Sequence, residues 1–190
     1  PEQRALGFNA RMITCSNCAF VGSASTYAPC GSGLELAGAN ASISVIDSDF
    51  AFNGVHDDTF GWADGLTLHE GVGMTIERNR FHDNTDVDLI LGGCIDCAIN
   101  QNVVTHDGSF RTGAYVGIML QAFERVTNGR YDGSLISGNV VDCGDKPGCG
   151  VGIYLGSRQW YEANRVVNGT LVDNTVSHAQ TGIAIGLDVT

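Results

Sequence analysis

The segment Gly65-Leu-Thr-Leu68, followed by Ile76-Glu-Arg-Asn79-Arg-Phe81, contains two short motifs that repeat along this chain of 190 residues. The first motif is a small residue or an aspartate, then an apolar residue, any residue and a second apolar residue. Its six copies begin 23 to 35 residues apart: Gly33-Leu-Glu-Leu36, Gly65-Leu-Thr-Leu68, Asp88-Leu-Ile-Leu91, Gly117-Ile-Met-Leu120, Gly152-Ile-Tyr-Leu155 and Gly182-Ile-Ala-Ile185. Repeats of this length indicate a solenoid, and their irregular spacing argues against helical repeats of fixed length.

A second motif lies between the copies of the first. It occurs as Ile76-Glu-Arg-Asn79-Arg-Phe81, Ile99-Asn-Gln-Asn102-Val-Val104, Ile136-Ser-Gly-Asn139-Val-Val141 and Leu171-Val-Asp-Asn174-Thr-Val176, with Val45-Ile-Asp-Ser48-Asp-Phe50 as a degenerate copy. Each coil therefore contributes at least two short strands. The shared asparagine is expected at a bend, where it tolerates the left-handed conformation and can hydrogen-bond its neighbours along the stack.

Alternation at period two decides which side chains of the first motif face the core. The leucines and isoleucines point inward, which leaves an outward column of Glu35, Thr67, Ile90, Met119, Tyr154 and Ala184. Stacked coils would pair equivalent strands in parallel, about 4.8 Å apart. The sequence thus predicts an all-β fold, a parallel β-helix (solenoid) of about six coils in a single domain over residues 1–190. A two-sheet sandwich is the alternative, but it would need turn signals every ~8–12 residues.

Composition excludes several other classes. The chain has 26 glycines, 43% hydrophobic residues, only 16% charged residues and three prolines, which argues against a helical bundle, a disordered chain and collagen. No run of ~18 apolar residues is present, so we expect no membrane insertion. A formal charge of −11 makes nucleic acid a poor partner.

Seven cysteines are many for a chain of this length. The segment Cys143-Gly-Asp-Lys-Pro-Gly-Cys149 is interpreted as a small loop closed by a disulfide, which favours a secreted or cell-surface protein. Cys15-Ser-Asn-Cys18 and Cys94-Ile-Asp-Cys97 could form a four-thiolate zinc site, although 75 residues lie between them, or Cys97 could simply pack in the core. An odd count leaves one thiol unpaired.

The coils resemble the right-handed parallel β-helix proteins of the pectate-lyase-like superfamily, whose members are mostly enzymes and binders of polysaccharides. Residues 65–70, 74–84 and 86–88 resemble more closely the alginate C5-epimerase and lyase-like branch, which carries Tyr-Gly-Phe-Asp-Pro-His-Glu on one coil and a further Asp on the next. The resemblance places His69 and Glu70 on the His and Glu of that motif, and Asp86 or Asp88 on its later Asp. The chain departs from the motif at Thr67, where the branch has Asp, and at Asp64, where it has Tyr.

Loop insertions on both sides of the first motif are expected to form two walls of a groove. The outward column would be the floor of that groove, and a groove across several coils suits a linear polymer. Substrate-binding candidates on the floor and walls are Tyr154, Gln121, Arg125, Arg158, Trp160 and Tyr161. Aromatic rings can stack on sugars and arginines can pair with carboxylates or sulfates, whereas the alternative is that the aromatic residues cap hydrophobic loops.

Catalysis on a polysaccharide would need an acid and a base. His69 is the first candidate, with Glu70 beside it; Asp64, Asp86 and Asp88 could orient it or hold a Ca²⁺ ion. A glycosidase needs two facing carboxylates, and Asp64 with Asp88 on adjacent coils could supply them. Alternatively, His69 is a turn residue that makes structural hydrogen bonds.

Two functional hypotheses follow. The first is an exported carbohydrate-active enzyme, a lyase, epimerase or hydrolase. The second is a non-catalytic polysaccharide-binding, adhesin, surface-layer or phage-tail scaffold. Because the last copy of the first motif lies close to Thr190, we also expect end-to-end self-association or a larger parent protein of which this chain is a fragment.

Overall fold

The computed structural model of the protein describes residues 7–9, 12–22, 30–37, 42–54, 61–107, 113–122, 127, 129–145, 148–156 and 168–185. These residues form six coils and the first strand of a seventh. In chain order the strands are β1 (Gly7–Asn9), β2 (Met12–Ser16), β3 (Ala19–Val21), β4 (Cys30–Ala37), β5 (Ser42–Ile46), β6 (Asp49–Ala51), β7 (Trp62–Leu68), β8 (Gly71–Val72), β9 (Thr75–Glu77), β10 (Arg80–His82), β11 (Val87–Leu91), β12 (Cys94–Ile95), β13 (Ala98–Asn100), β14 (Val103–Thr105), β15 (Ala114–Leu120), β16 (Leu135–Ser137), β17 (Val140–Asp142), β18 (Cys149–Leu155), β19 (Thr170–Val172), β20 (Thr175–Ser177) and β21 (Thr181–Ile185).

Three parallel sheets surround the core, and every coil contributes one strand to each. Sheet A has the order β1-β4-β7-β11-β15-β18-β21, sheet B the order β2-β5-β9-β13-β16-β19, and sheet C the order β3-β6-β10-β14-β17-β20. A short fourth sheet pairs β8 with β12. The first motif of the sequence forms sheet A, and the second motif forms the strands of sheets B and C.

The register agrees with the alignment of the repeats. Leu68 pairs with Leu91, Leu91 with Leu120 and Leu120 with Leu155 along sheet A, and the first three are at most 1% exposed. On the opposite side of the core, the rings of Phe20, Phe50 and Phe81 stack with centroids 5.0 and 4.9 Å apart. These columns confirm the inward assignment of the apolar residues. The sequence missed the first coil, β1 to β3, because Cys18 occupies the position of the repeated asparagine.

The repeated asparagines form a continuous buried ladder at the turn between sheets B and C. The side-chain Nδ2 of Asn79 donates to Oδ1 of Asn102 at 3.0 Å, Asn102 to Asn139 at 3.0 Å, and Asn139 to Asn174 at 2.9 Å. Each Oδ1 also accepts the backbone N–H of the preceding rung, for example Asn79 N–H to Asn102 Oδ1 at 3.1 Å. The ladder therefore satisfies backbone groups that the bend removes from the sheets.

One detail of that turn differs from the expectation. The left-handed residue is the one before each asparagine: Arg78 (φ 53°), Gln101 (φ 55°), Gly138 (φ 62°) and Asp173 (φ 55°). The asparagine itself does not have a positive φ, and its buried side chain hydrogen-bonds the next rung.

Loss of one ladder residue is expected to destabilise the fold. In the wild type, the N–H of Asn79 donates to Asn102 Oδ1 at 3.1 Å, and Asn102 Nδ2 donates to the carbonyl of Ile76 at 2.9 Å. Asn102→Ala removes both partners. At about 1–3 kcal/mol for each buried unsatisfied group, the unfolding free energy should fall by roughly 2–5 kcal/mol. Urea denaturation measures this. The control Asn100→Ala removes a half-buried side chain on the outside of β13 and should cost much less; equal losses would contradict the structural role of the ladder.

Three cysteine pairs lie at disulfide distance: Cys15 with Cys18, Cys94 with Cys97, and Cys143 with Cys149. The last pair confirms the predicted loop closure. The four-thiolate zinc alternative is not supported, because each Cys-x-x-Cys segment closes on itself and the two lie on coils one and four. The described residues contain no helix long and apolar enough to cross a bilayer.

Candidate functional site

Two aspartates lie on adjacent rungs of sheet A. Asp64 is inside β7, and Asp86 immediately precedes β11. The backbone N–H of Asp86 donates to the carbonyl of Ala63 at 3.2 Å, and the N–H of Val87 donates to Oδ1 of Asp64 at 3.1 Å. Both aspartates are half-buried. The parallel register thus brings together two of the five predicted catalytic residues.

Their surroundings favour protonated carboxyl groups. Burial raises the pKa of Asp64 well above its usual value, the charge of Asp86 raises it further, and hydrogen bonds from Thr67 and Val87 oppose the rise. Burial raises the pKa of Asp86 to about 6. Both carboxyl groups therefore keep their protons to higher pH than an ordinary aspartate does.

His69 contacts Glu35, a carboxylate that the sequence did not single out as a site residue. Its Nε2 is 2.6 Å from Oε1 of Glu35, which lies one coil earlier, and the two side chains are 29% and 13% exposed. The charge of Glu35 also raises the pKa of Asp64. The sequence did contain a signal for this residue, because Glu35 is the first member of the outward column.

The outward column does not form an open floor. Thr67, Ile90, Met119 and Tyr154 are 7%, 4%, 0% and 8% exposed, although they face away from the core. The last three belong to a second apolar cluster on the outside of sheet A. Because these side chains are almost fully removed from solvent, this face of sheet A is covered. The predicted open groove is therefore closed at these positions.

Tyr115 joins the carboxyl pair to this cluster. It packs against the second apolar cluster, and burial raises its pKa, with smaller contributions from Tyr154 and Asp86. Tyr154, a predicted substrate-binding residue, lies near Tyr115, but its own side chain is almost entirely covered.

Asp88 faces the interior and not Asp64, with which the sequence analysis paired it. It occupies a column that is glycine in the other five copies of the motif, and it is fully buried. Its carboxylate accepts a hydrogen bond from Asn84 Nδ2 at 2.8 Å and contacts His106 Nε2 at 2.8 Å. The sequence identified neither partner, although an aspartate in a glycine column is itself a signal that a buried partner is needed.

Glu70 and Gln121 are also buried. Oε2 of Glu70 accepts the backbone N–H and the hydroxyl of Thr127 at 2.7 and 2.9 Å, which ties the segment after β15 to coil three. The side-chain amide of Gln121 is fully buried, and no described residue hydrogen-bonds it. The other predicted binding residues, Arg125, Arg158, Trp160 and Tyr161, lie outside the described residues.

The described part of the chain contains no group of three or more His, Cys, Asp and Glu side chains arranged to hold a metal ion. The carboxyl pair, the Glu35–His69 pair and the hydroxyls of Ser32 and Thr67 together form the candidate site. Carboxyl groups in unequal environments are able to donate and accept protons.

Comparison with known proteins agrees with this architecture. The chain matches, over residues 7–187, the family described as "Right handed beta helix region" and belongs to it. The match covers nearly the whole chain, so the solenoid is a right-handed parallel β-helix. No curated protein and no solved structure matched the chain.

Proposed function

We propose that the protein is a carbohydrate-active enzyme that hydrolyses a polysaccharide, with Asp64 and Asp86 as its acid–base pair. The observation that carries the proposal is the pair itself: two half-buried carboxyl groups on adjacent rungs whose pKa values are both raised. Glycoside hydrolysis requires one protonated and one ionised carboxyl group at the scissile bond. Two neighbouring aspartates with raised pKa values in different surroundings suit that requirement.

The roles within the pair follow from the surroundings. We assign the general acid to Asp64, because the charges of both Asp86 and Glu35 favour its protonated form. Asp86, with its pKa of about 6, is ionised above that pH and suits the base or nucleophile. His69, held by Glu35, lies at the edge of the same site and can bind the substrate or shuttle protons.

Hydrolysis is favoured over a lyase or epimerase reaction. Those reactions on uronates need cationic help for the substrate carboxylate. Of the described arginines, Arg78 and Arg130 pair with Asp47 and Asp132, and Arg80 lies on the outer side of sheet C, so none of them is at the carboxyl pair. The three disulfide-distance cysteine pairs are compatible with an extracellular protein, and we propose secretion or cell-surface display.

Substitution of the acid–base pair tests the reaction. On whichever polysaccharide of a broad panel the wild type cleaves, Asp64→Asn and Asp86→Asn should each lower turnover by about 10²–10⁴-fold, the usual contribution of a positioned acid or base. Release of reducing ends reports hydrolysis, and absorbance of unsaturated uronates reports a lyase.

The matched control is Asp173→Asn, an exposed aspartate at a turn on the far side of the solenoid, which should retain full activity. Undiminished cleavage by either site variant, or appearance of unsaturated products, would contradict the assignment.

A non-catalytic polysaccharide-binding scaffold is the second candidate. The covered face of sheet A favours a scaffold over an enzyme, because Met119 and Ile90 leave no open floor on which a polymer could be cleaved, and a bound polysaccharide would then contact another face. Retention on affinity gels without cleavage of any panel member would favour this candidate over the enzyme.

A further inference from the structure

A chain of three side chains runs across the first rungs of sheet A and ends on Asp64. The hydroxyl of Thr67 is 2.7 Å from Oδ2 of Asp64 and 2.7 Å from the hydroxyl of Ser32. Ser32 belongs to coil two, Asp64 and Thr67 to coil three. Ser32 and Thr67 are 3% and 7% exposed, so the hydroxyl pair is shielded from water.

The direction of these hydrogen bonds is set by the ionisation of Asp64. A hydroxyl has a single hydrogen, and an ionised carboxylate can only accept. When Asp64 is ionised, Thr67 therefore donates to Oδ2, and the oxygen of Thr67 is free to accept from Ser32. Because Val87 N–H donates to Oδ1 at 3.1 Å, both oxygens of the ionised carboxylate then have a donor.

Asp86 differs from Asp64 in this respect. Among the described residues no hydrogen bond reaches the Asp86 carboxyl group, and burial is the cause of its raised pKa. Asp64, by contrast, has donors placed for the charge that appears when it releases its proton. Preorganised donors of this kind stabilise developing charge without reorganisation.

We propose, on the basis of the proposed function, that Thr67, oriented by Ser32, is a positioning residue that stabilises the ionised form of Asp64 and so lets this general acid release its proton. The charged and titratable groups that face Asp64 are Asp86 on the next rung and Glu35, with its partner His69, on the preceding one. Both carboxylates oppose the ionisation of Asp64, and the hydroxyl chain opposes their effect.

The test is a titration of Asp64 in the wild type and in Thr67→Val, which keeps the shape of the side chain and removes the hydroxyl. Carbon-13 labelling of the aspartate carboxyls, assigned with the Asp64→Asn and Asp86→Asn variants, follows each group by NMR. Loss of one hydrogen bond to a carboxylate should raise the pKa of Asp64 by about one unit, a tenfold change in its ionisation constant. The alkaline limb of the pH–rate profile should move to higher pH by a similar amount.

Three variants separate positioning from a general structural effect. Thr67→Ser returns the hydroxyl and should restore the wild-type titration. Ser32→Ala should shift Asp64 in the same direction by less, because Thr67 keeps its hydroxyl but loses its orienting donor. Thr75→Val, the same substitution on the outer side of sheet B, should change nothing.

An unchanged Asp64 titration in Thr67→Val overturns the inference, whether or not the wild type cleaves a polysaccharide. If the titration shifts but no polysaccharide is cleaved, the proposed function fails, and the control of Asp64 by Thr67 is still supported. The two failures are therefore distinguishable.

Discussion

Leu91→Asp or Leu120→Asp is expected to unfold the protein. The two leucines are neighbours on β11 and β15, are 0% and 1% exposed, and face a core filled by apolar columns. An unpaired carboxylate there, or the proton needed to neutralise it, costs several kcal/mol against a total stability of ~5–15 kcal/mol. Circular dichroism and urea denaturation would show loss of the cooperative transition.

Leu135→Asp is the matched control for this prediction. Leu135 lies on the outer side of β16 and is 39% exposed, so the same substitution there should leave a cooperatively folded protein. A soluble, cooperatively folding Leu91→Asp variant would contradict the inward assignment of the first motif.

His106→Leu is expected to produce the second-largest effect, a loss of about 3–5 kcal/mol of unfolding free energy. His106 is buried, with Nε2 2.8 Å from Asp88 and Nδ1 3.9 Å from Asp83. Removal of the imidazole leaves the hydrogen bond from Asn84 as the remaining described side-chain contact of the fully buried Asp88 carboxylate. The control is His82→Leu on the half-exposed surface of sheet C, where ion pairs at 3.4 and 3.7 Å contribute little, so the loss should stay below about 1 kcal/mol.

The double variant His106→Leu, Asp88→Gly extends this test. It returns the glycine of the column and should recover part of the stability, since no buried charge is left unpaired. If His106→Leu and His82→Leu lower the unfolding free energy equally, the buried contact between His106 and Asp88 does not contribute the predicted stability.

The same pair predicts how stability depends on pH. Burial lowers the pKa of His106, but Asp88 and Asp83 outweigh it, so the net shift is upward. A raised folded-state pKa means that the stabilisation is fully present below the unfolded value of about 6.5 and is lost as pH rises through the folded value. The difference in unfolding free energy between the wild type and His106→Leu, measured by urea denaturation at a series of pH values, isolates this contribution. The Asp64–Asp86 pair is common to both proteins and cancels in the difference. A constant difference across that range would contradict the assignment.

For the candidate site, the sequence analysis paired Asp64 with Asp88, whereas in the structure Asp64 lies beside Asp86. Strict alternation from Leu66 puts Gly65, and hence Asp88 in the same register, on the outer face. In the structure a side chain at Gly65 would meet Asn84 Nδ2 at 2.9 Å, so Gly65 and Leu66 both face the interior. The alternation therefore slips by one residue. This slip puts Asp64, which strict alternation would place inside, on the outer face beside Asp86, while Asp88 turns inward to His106.

What the sequence determined by itself is the solenoid: its repeats, the strand register of sheet A and the asparagine ladder. These follow from local periodicity, because the same pattern repeated at each coil can bury its apolar residues in only one stacking. The partners of individual polar residues were decided by the tertiary structure. The contacts of Asp64 with Asp86, Asp88 with His106 and Glu35 with His69 join different coils, and a slip of one residue in a strand moves a side chain to the other face of the sheet.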